Sequence, residues 1–209
     1  MNEVTLVITS CGRPDLLDRT INSFLLHNTY PIQNTIIIED GPALTISQDL
    51  SNINIIINKE RKGQVYSIDK AYSYVTTPFI FHCEDDWEFY KSGFIERSLE
   101  ILTNNGHILQ AWLREQQDTN GHPVEKREDL SYDLMALDWG DKWHGFSWNP
   151  GLRRLSDYKT IDNYSKYQEE TLAIGTEAVL NKIYKDLGFR AAILREGYVK
   201  HIGEGRHIS

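Results

Sequence analysis

Glu84-Asp85-Asp86-Trp87 is the sharpest chemical signal in the chain, three consecutive carboxylates directly behind the apolar run Phe79-Ile80-Phe81-His82-Cys83. Adjacent carboxylates repel one another unless a cation or solvent compensates them. Mg2+ and Mn2+ take oxygen ligands of this kind, and substrate phosphate usually completes their shell. The cluster therefore suggests a metal and diphosphate site, and the plainer alternative is a solvated acidic turn in which Glu84 or Asp86 caps a helix. Glu39-Asp40-Gly41 likewise closes the apolar run 35–38, and Asp40 could accept a hydrogen bond from a pyrimidine or guanine N–H. His201 ends a late apolar run, followed by Gly203, Glu204, Gly205 and Arg206. A lone His is more often structural than a ligand. Arg206 could grip phosphate oxygens bidentately, or simply lie in a solvated terminus.

The elements that must position these residues can be read from hydrophobic period. Residues 4–8 form a buried strand. A helix follows, with Pro14 in its first turn, Asp15 and Asp18 at its positive end, and Leu16, Leu17, Ile21, Phe24 and Leu25 at helical spacing. Residues 35–38 and 53–57 are further strands, 64–75 an amphipathic helix and 79–83 a fourth strand. A helix near 94–102 and a strand near 108–112 come next. The polar stretch 116–129 reads as a loop. A helix over 169–187, stopped by Gly188, and strands at 191–194 and 198–201 complete the chain. Alternating strands and helices imply a mostly parallel α/β sheet with helices on both faces, in one domain of 209 residues. Ligands of such sheets bind at the carboxyl ends of the strands. Four loops converge there: 9–13, 39–41, 58–63 and 84–87.

Bulk properties exclude several classes. The net charge of -8 lacks the clustered Lys and Arg excess that phosphate neutralisation needs, so no nucleic-acid partner is expected. Cys11 and Cys83 have no paired spacing and read as small apolar residues, not a disulfide framework. The start lacks a signal-peptide pattern, and no apolar run approaches the roughly 20 residues of a transmembrane helix, so a cytoplasmic location is expected.

Taken together, Thr5-Leu6-Val7-Ile8-Thr9-Ser10 with Arg13, then Ile37-Ile38-Glu39-Asp40-Gly41, Asn58 with Gly63, Ala71, Pro78 and Glu84-Asp85-Asp86, resemble the nucleotide-binding half of GT-A fold glycosyltransferases, especially family 2. Gly151-Leu152-Arg153-Arg154, Glu169-Glu170, Lys185-Asp186-Leu187-Gly188-Phe189 and Tyr198-Val199-Lys200-His201-Ile202-Gly203 extend the resemblance over most of the chain. It implies a Rossmann-like GT-A domain, 1–209, with a nucleotide-sugar-binding half, 1–112, and an acceptor-binding and catalytic half, 113–209. It further implies that Asp40 contacts the nucleoside base, that Glu84 contacts ribose and that Asp86 and His201 hold Mn2+ or Mg2+. Thr9, Arg13, Lys62, Asp85 and Arg206 are the other donor-binding candidates. The acidic pair implies a general base at Glu170, with Glu169 beside it and Asp138 and Asp141 in reserve. Two departures stand out, Glu84 in place of the commoner Asp and Glu-Glu in place of Glu-Asp. The expected reaction is inverting transfer from a UDP-, GDP- or dTDP-linked sugar to a carbohydrate-type acceptor, a glycan, lipid-linked sugar or protein. Trp139, Trp143, Phe146 and Trp148 are either acceptor-stacking residues or core.

Two competing functions fit the same fold. A sugar nucleotidyltransferase also needs metal and carboxylates, but its first loop is normally Gly-rich and basic, and residues 9–15 carry one Gly and one Arg. A non-catalytic nucleotide-sugar-binding domain would have lost the metal residues, which are intact here.

Overall fold

The structure is a computed structural model that describes residues 3–41, 52–137, 139, 143–168 and 173–206. The first half runs β1 (Val4–Ser10), α1 (Pro14–His27), β2 (Asn34–Glu39), β3 (Ile53–Ile57), α2 (Gln64–Tyr72), β4 (Phe79–Glu84), β5 (Trp87–Phe89), α3 (Phe94–Asn104) and β6 (Ile108–Trp112). The second half contains β7 (Val124–Glu125), β8 (Asp133–Met135), β9 (Gly151–Arg154), α4 (Leu155–Ile161), a 3-10 turn at Tyr164–Tyr167, α5 (Ala173–Asp186), β10 (Arg190–Ile193) and β11 (Val199–His201).

Nine strands form one sheet in the order β3-β2-β1-β4-β9-β6-β10-β8-β7. β1, β2, β3 and β4 run parallel to one another, as the doubly buried runs of β1, β2 and β4 imply, with β3 at the more exposed edge. β9 lies antiparallel between β4 and β6, and β8 lies antiparallel to β10. The sheet is therefore mixed, with most strands pointing one way. β5 and β11 pair separately as a short antiparallel ribbon.

Side-chain alternation divides the core between the two faces. Leu6, Ile8, Phe81 and Cys83 meet Leu17, Ile21 and Phe24 of α1 and Phe94, Ile101 and Leu102 of α3 on one face. Val7, Ile36, Ile38 and Ile80 meet Val65, Ile68 and Tyr72 of α2, Tyr158 of α4, and Leu180 and Tyr184 of α5 on the other. Helices thus cover both faces, as the sequence pattern requires.

Several local expectations change. The stretch 116–129 contains β7, which pairs with β8, and neither strand has enough apolar residues to show a period of its own. Trp143, Phe146 and Trp148 are no exposed stacking platform: they are 3%, 1% and 5% exposed and pack in the second core. Trp139 alone of that set is exposed, at 40%. Cys83 is buried and Cys11 half-buried, both as free thiols. No described helix is long and apolar enough to cross a membrane.

Candidate active site

β1, β2 and β4 end side by side because their register aligns Ser10 with Glu39 and Thr9 with Glu84. Three of the four expected loops therefore meet at one edge, and the fourth is tied to them through Asp40. Its Oδ1 accepts from Asn58 Nδ2 and from the Lys62 N–H, both at 2.8 Å, and its Oδ2 accepts from the Gly63 N–H at 2.7 Å. Asp40 is 4% exposed. It braces the 58–63 loop and the start of α2, where Gly63 sits at φ +90, a conformation that favours glycine. The Lys62 side chain is exposed and pairs with Glu60.

The acidic triplet splits into three different environments. Asp85 turns inward. Ser10 Oγ donates to its Oδ2 at 3.1 Å, the Cys11 N–H donates at 3.3 Å, and the Arg13 guanidinium pairs with both oxygens. Burial raises the Asp85 carboxyl above its ordinary range even against Arg13. Asp85 thus fastens the first loop to the end of β4.

Asp86 is also buried and shares Arg13, but it meets a different partner. Its Oδ2 lies 2.9 Å from Arg13 Nη1 and 3.3 Å from His201 Nε2. The ribbon explains that contact: β11 pairs with β5 so that His201 faces Trp87, one residue beyond Asp86. The Ile202 N–H continues the pairing with the Asp86 carbonyl at 2.8 Å. Burial would raise the Asp86 carboxyl, but the His201 hydrogen bond and Arg13 outweigh it and hold the group below the usual carboxylate range.

Glu84 faces the second core. It accepts from Gln64 Nε2 at 2.6 Å and from Trp87 Nε1 at 3.3 Å. Burial, then repulsion from Asp86, pushes it up to about 8, and Glu177 adds to the repulsion.

Glu177, on α5, is therefore close enough to Glu84 to perturb it. Its carboxylate accepts from the Trp148 N–H at 3.0 Å and from the Ser147 hydroxyl, and burial raises it above its ordinary range. Sequence reading missed Glu177. The available signal was its helical phase: Glu177 stands on the stripe shared with Leu180 and Tyr184, where a core-facing acid is out of place.

The other candidates divide. Thr9 is buried beside Glu84, and Arg13 bridges Asp85 and Asp86. Arg206 pairs with Asp15 at the head of α1 at 2.5 Å, while its carbonyl accepts from Arg13 at 3.2 Å. Glu169, Glu170, Asp138 and Asp141 lie outside the described residues.

Among the described residues no three His, Cys, Asp or Glu side chains group in a way that could hold a metal ion. Asp86 and His201 nonetheless converge as an oxygen and a nitrogen donor. One or two protein ligands with substrate phosphate and water are what such cations commonly take.

Known proteins give independent findings. The profile of "Glycosyl transferase family 2" matches residues 5–188. By sequence, no curated protein matches the chain. Among solved structures, the mannosyltransferase PcManGT from Pyrobaculum calidifontis, in complex with GDP-Man and Mn2+, superposes with TM-score 0.67 at 8% identity, covering 98% of this chain and 58% of that one. S. aureus TarS 1-349 superposes with TM-score 0.63 at 12% identity, covering 95% of this chain and 60% of that one. The chain thus spans about three fifths of either structure, and identities this low speak for the fold. With the family profile matched over most of its length and the acidic strand ends gathered at one sheet edge, the chain belongs to glycosyl transferase family 2.

Proposed function

We propose that this chain is a glycosyltransferase that moves a sugar from a nucleotide-diphosphate donor to a carbohydrate-type acceptor, with Mn2+ or Mg2+ and with inversion at the anomeric carbon. The observation carrying the proposal is the meeting of Asp86 and His201 across the β5–β11 ribbon, at the carboxyl end of β4. A divalent cation held there would offset the negative charge growing on the leaving diphosphate. Arg13, already paired with Asp86, supplies a fixed positive charge beside that position. Asp40 keeps an acceptor lone pair at Oδ2 for the nucleoside base, while its remaining capacity braces the 58–63 loop. The PcManGT complex, which holds GDP-Man and Mn2+ on a similar fold, supports this class of donor.

Glu177 acts as the general base in this proposal, taking the acceptor hydroxyl proton. Its support is its place on α5 near Glu84 and its two anchoring donors from residues 147 and 148. Glu170, the base that the family resemblance implies, is the competing carboxylate. Transfer should fall roughly 100- to 10,000-fold in the variant that removes the true base. Glu177→Gln and Glu170→Gln, assayed side by side, decide between them.

Titration calorimetry of UDP and GDP with Mn2+ and in EDTA tests the metal proposal. Asp86→Ala should fold and lose the metal-dependent part of nucleotide binding. Equal affinity in EDTA would overturn the proposal.

A further inference from the structure

Arg153 lies on β9 opposite Ile80 and is 3% exposed. A buried guanidinium is costly unless its charge and donors are met. No described carboxylate lies within ion-pair distance of it, and Tyr72, Tyr164 and Tyr184 surround it. Its contacts instead converge on three successive residues. Nη2 donates to the Ser147 carbonyl, and the guanidinium lies 5.0 Å from the Phe146 ring centroid and 5.8 Å from that of Trp148. Nη1 donates to the Tyr72 hydroxyl at 3.3 Å.

Residues 146–148 are also held by α5. The Phe146 N–H donates to Asn181 Oδ1 at 2.8 Å, and Asn181 Nδ2 donates back to the Phe146 carbonyl at 2.9 Å. The Trp148 N–H and the Ser147 hydroxyl are the anchors of Glu177. A loop segment is thus held both by a buried Arg and by the carboxylate-bearing helix.

We propose that Arg153 is a positioning residue: by gripping residues 146–148 through one carbonyl and two aromatic faces, it sets the two hydrogen-bond donors that aim the Glu177 carboxylate. This inference rests on Glu177 being the base. The side chain has to be Arg because a planar guanidinium can stack and donate at once, whereas the Lys ammonium is a compact charge on a flexible stem. Arg153→Lys therefore keeps the charge and removes the geometry.

The test measures nucleoside diphosphate release from GDP-mannose and UDP-glucose with Mn2+, together with donor KM and nucleotide Kd by calorimetry. Four variants are compared: Arg153→Lys, Ser147→Ala, Glu177→Gln and the double variant Arg153→Lys with Glu177→Gln. Arg153→Lys should lower kcat roughly 10- to 100-fold, as expected for a misplaced reacting group, with KM and Kd held within about twofold. In the Glu177→Gln background the same change should cost nothing further, because groups acting as a unit are not additive. Parental kcat in Arg153→Lys, or an equal loss in both backgrounds, overturns the inference while leaving the base assignment standing. Near-parental turnover in Glu177→Gln overturns the base assignment, and the inference falls with it. If Arg153→Lys loses its cooperative melting transition, Ser147→Ala decides instead, since it removes one anchor of Glu177 without touching the buried cation. Unchanged kcat there overturns the inference, and a lowered kcat at constant KM supports it.

Discussion

Three adjacent carboxylates take three roles because each meets a different set of neighbours. Glu84 has the least compensation, which is why burial and Asp86 lift it from 4.5 to about 8. A carboxyl raised on folding contributes stability that is fully present below its unfolded value and is lost as pH climbs through its folded one. In EDTA, Glu84→Gln should therefore melt above the parent at pH 8, with the gap closing towards pH 5. A melting curve at the two pH values checks this, and an unchanged gap would mean that Glu84 is ionised without penalty. Gly203 makes a second residue-scale prediction. A Cβ there would overlap the Asp86 carboxylate, so the close approach of the tail to the site requires glycine. Gly203→Ala should weaken Mn2+-dependent nucleotide binding by roughly tenfold, on the order of one displaced ligand, while changing affinity in EDTA little. Calorimetry in both conditions reads the difference.

Elements are joined at the site by side chains more than by their own caps. α2 has no side-chain cap of its own, and Asp40, just past β2, fixes the two residues that lead into it by accepting from the Lys62 and Gly63 N–H groups. Asp40→Ala leaves two part-buried N–H groups and the buried Asn58 amide without their acceptor, a loss worth about 1–3 kcal/mol. It should lower the melting temperature and weaken nucleotide binding together. If binding is unchanged while stability falls, Asp40 is a brace and not a reader of the base. The β5–β11 ribbon is the other joining device. It is short, yet its register delivers His201 to Asp86 from the far end of the chain. No local pattern at residues 87–89 announces a strand, since three residues cannot show a period, and the ribbon exists only because its partner arrives.

At the scale of the whole molecule, a ligand bound only by the folded state must stabilise it. At a hundredfold its dissociation constant a nucleotide adds about 2.7 kcal/mol, which for a chain of this size corresponds to about 5–10 °C. UDP or GDP with Mn2+ should give that shift, EDTA should remove most of it, and a thermal-shift assay reads both; no shift with any nucleotide would contradict the donor class. Much of this architecture was legible in the residues. The apolar runs ending at Ser10, Glu39 and Glu84 are buried on both faces, so their period and length specify parallel strands whose ends carry the polar chemistry. The core stripes of α1 and α2 follow in the same way, because local period and burial are the same fact seen twice. Long-range pairing has no such local trace. Only the tertiary structure sets β9 between β4 and β6, and so buries Arg153; only it gives Asp85 to the first loop and Asp86 to His201, and brings Glu177 near Glu84. Which strand lies beside which, and which carboxylate finds a partner, depends on contacts between residues far apart in the chain, and those contacts exist only once the sheet has closed around them.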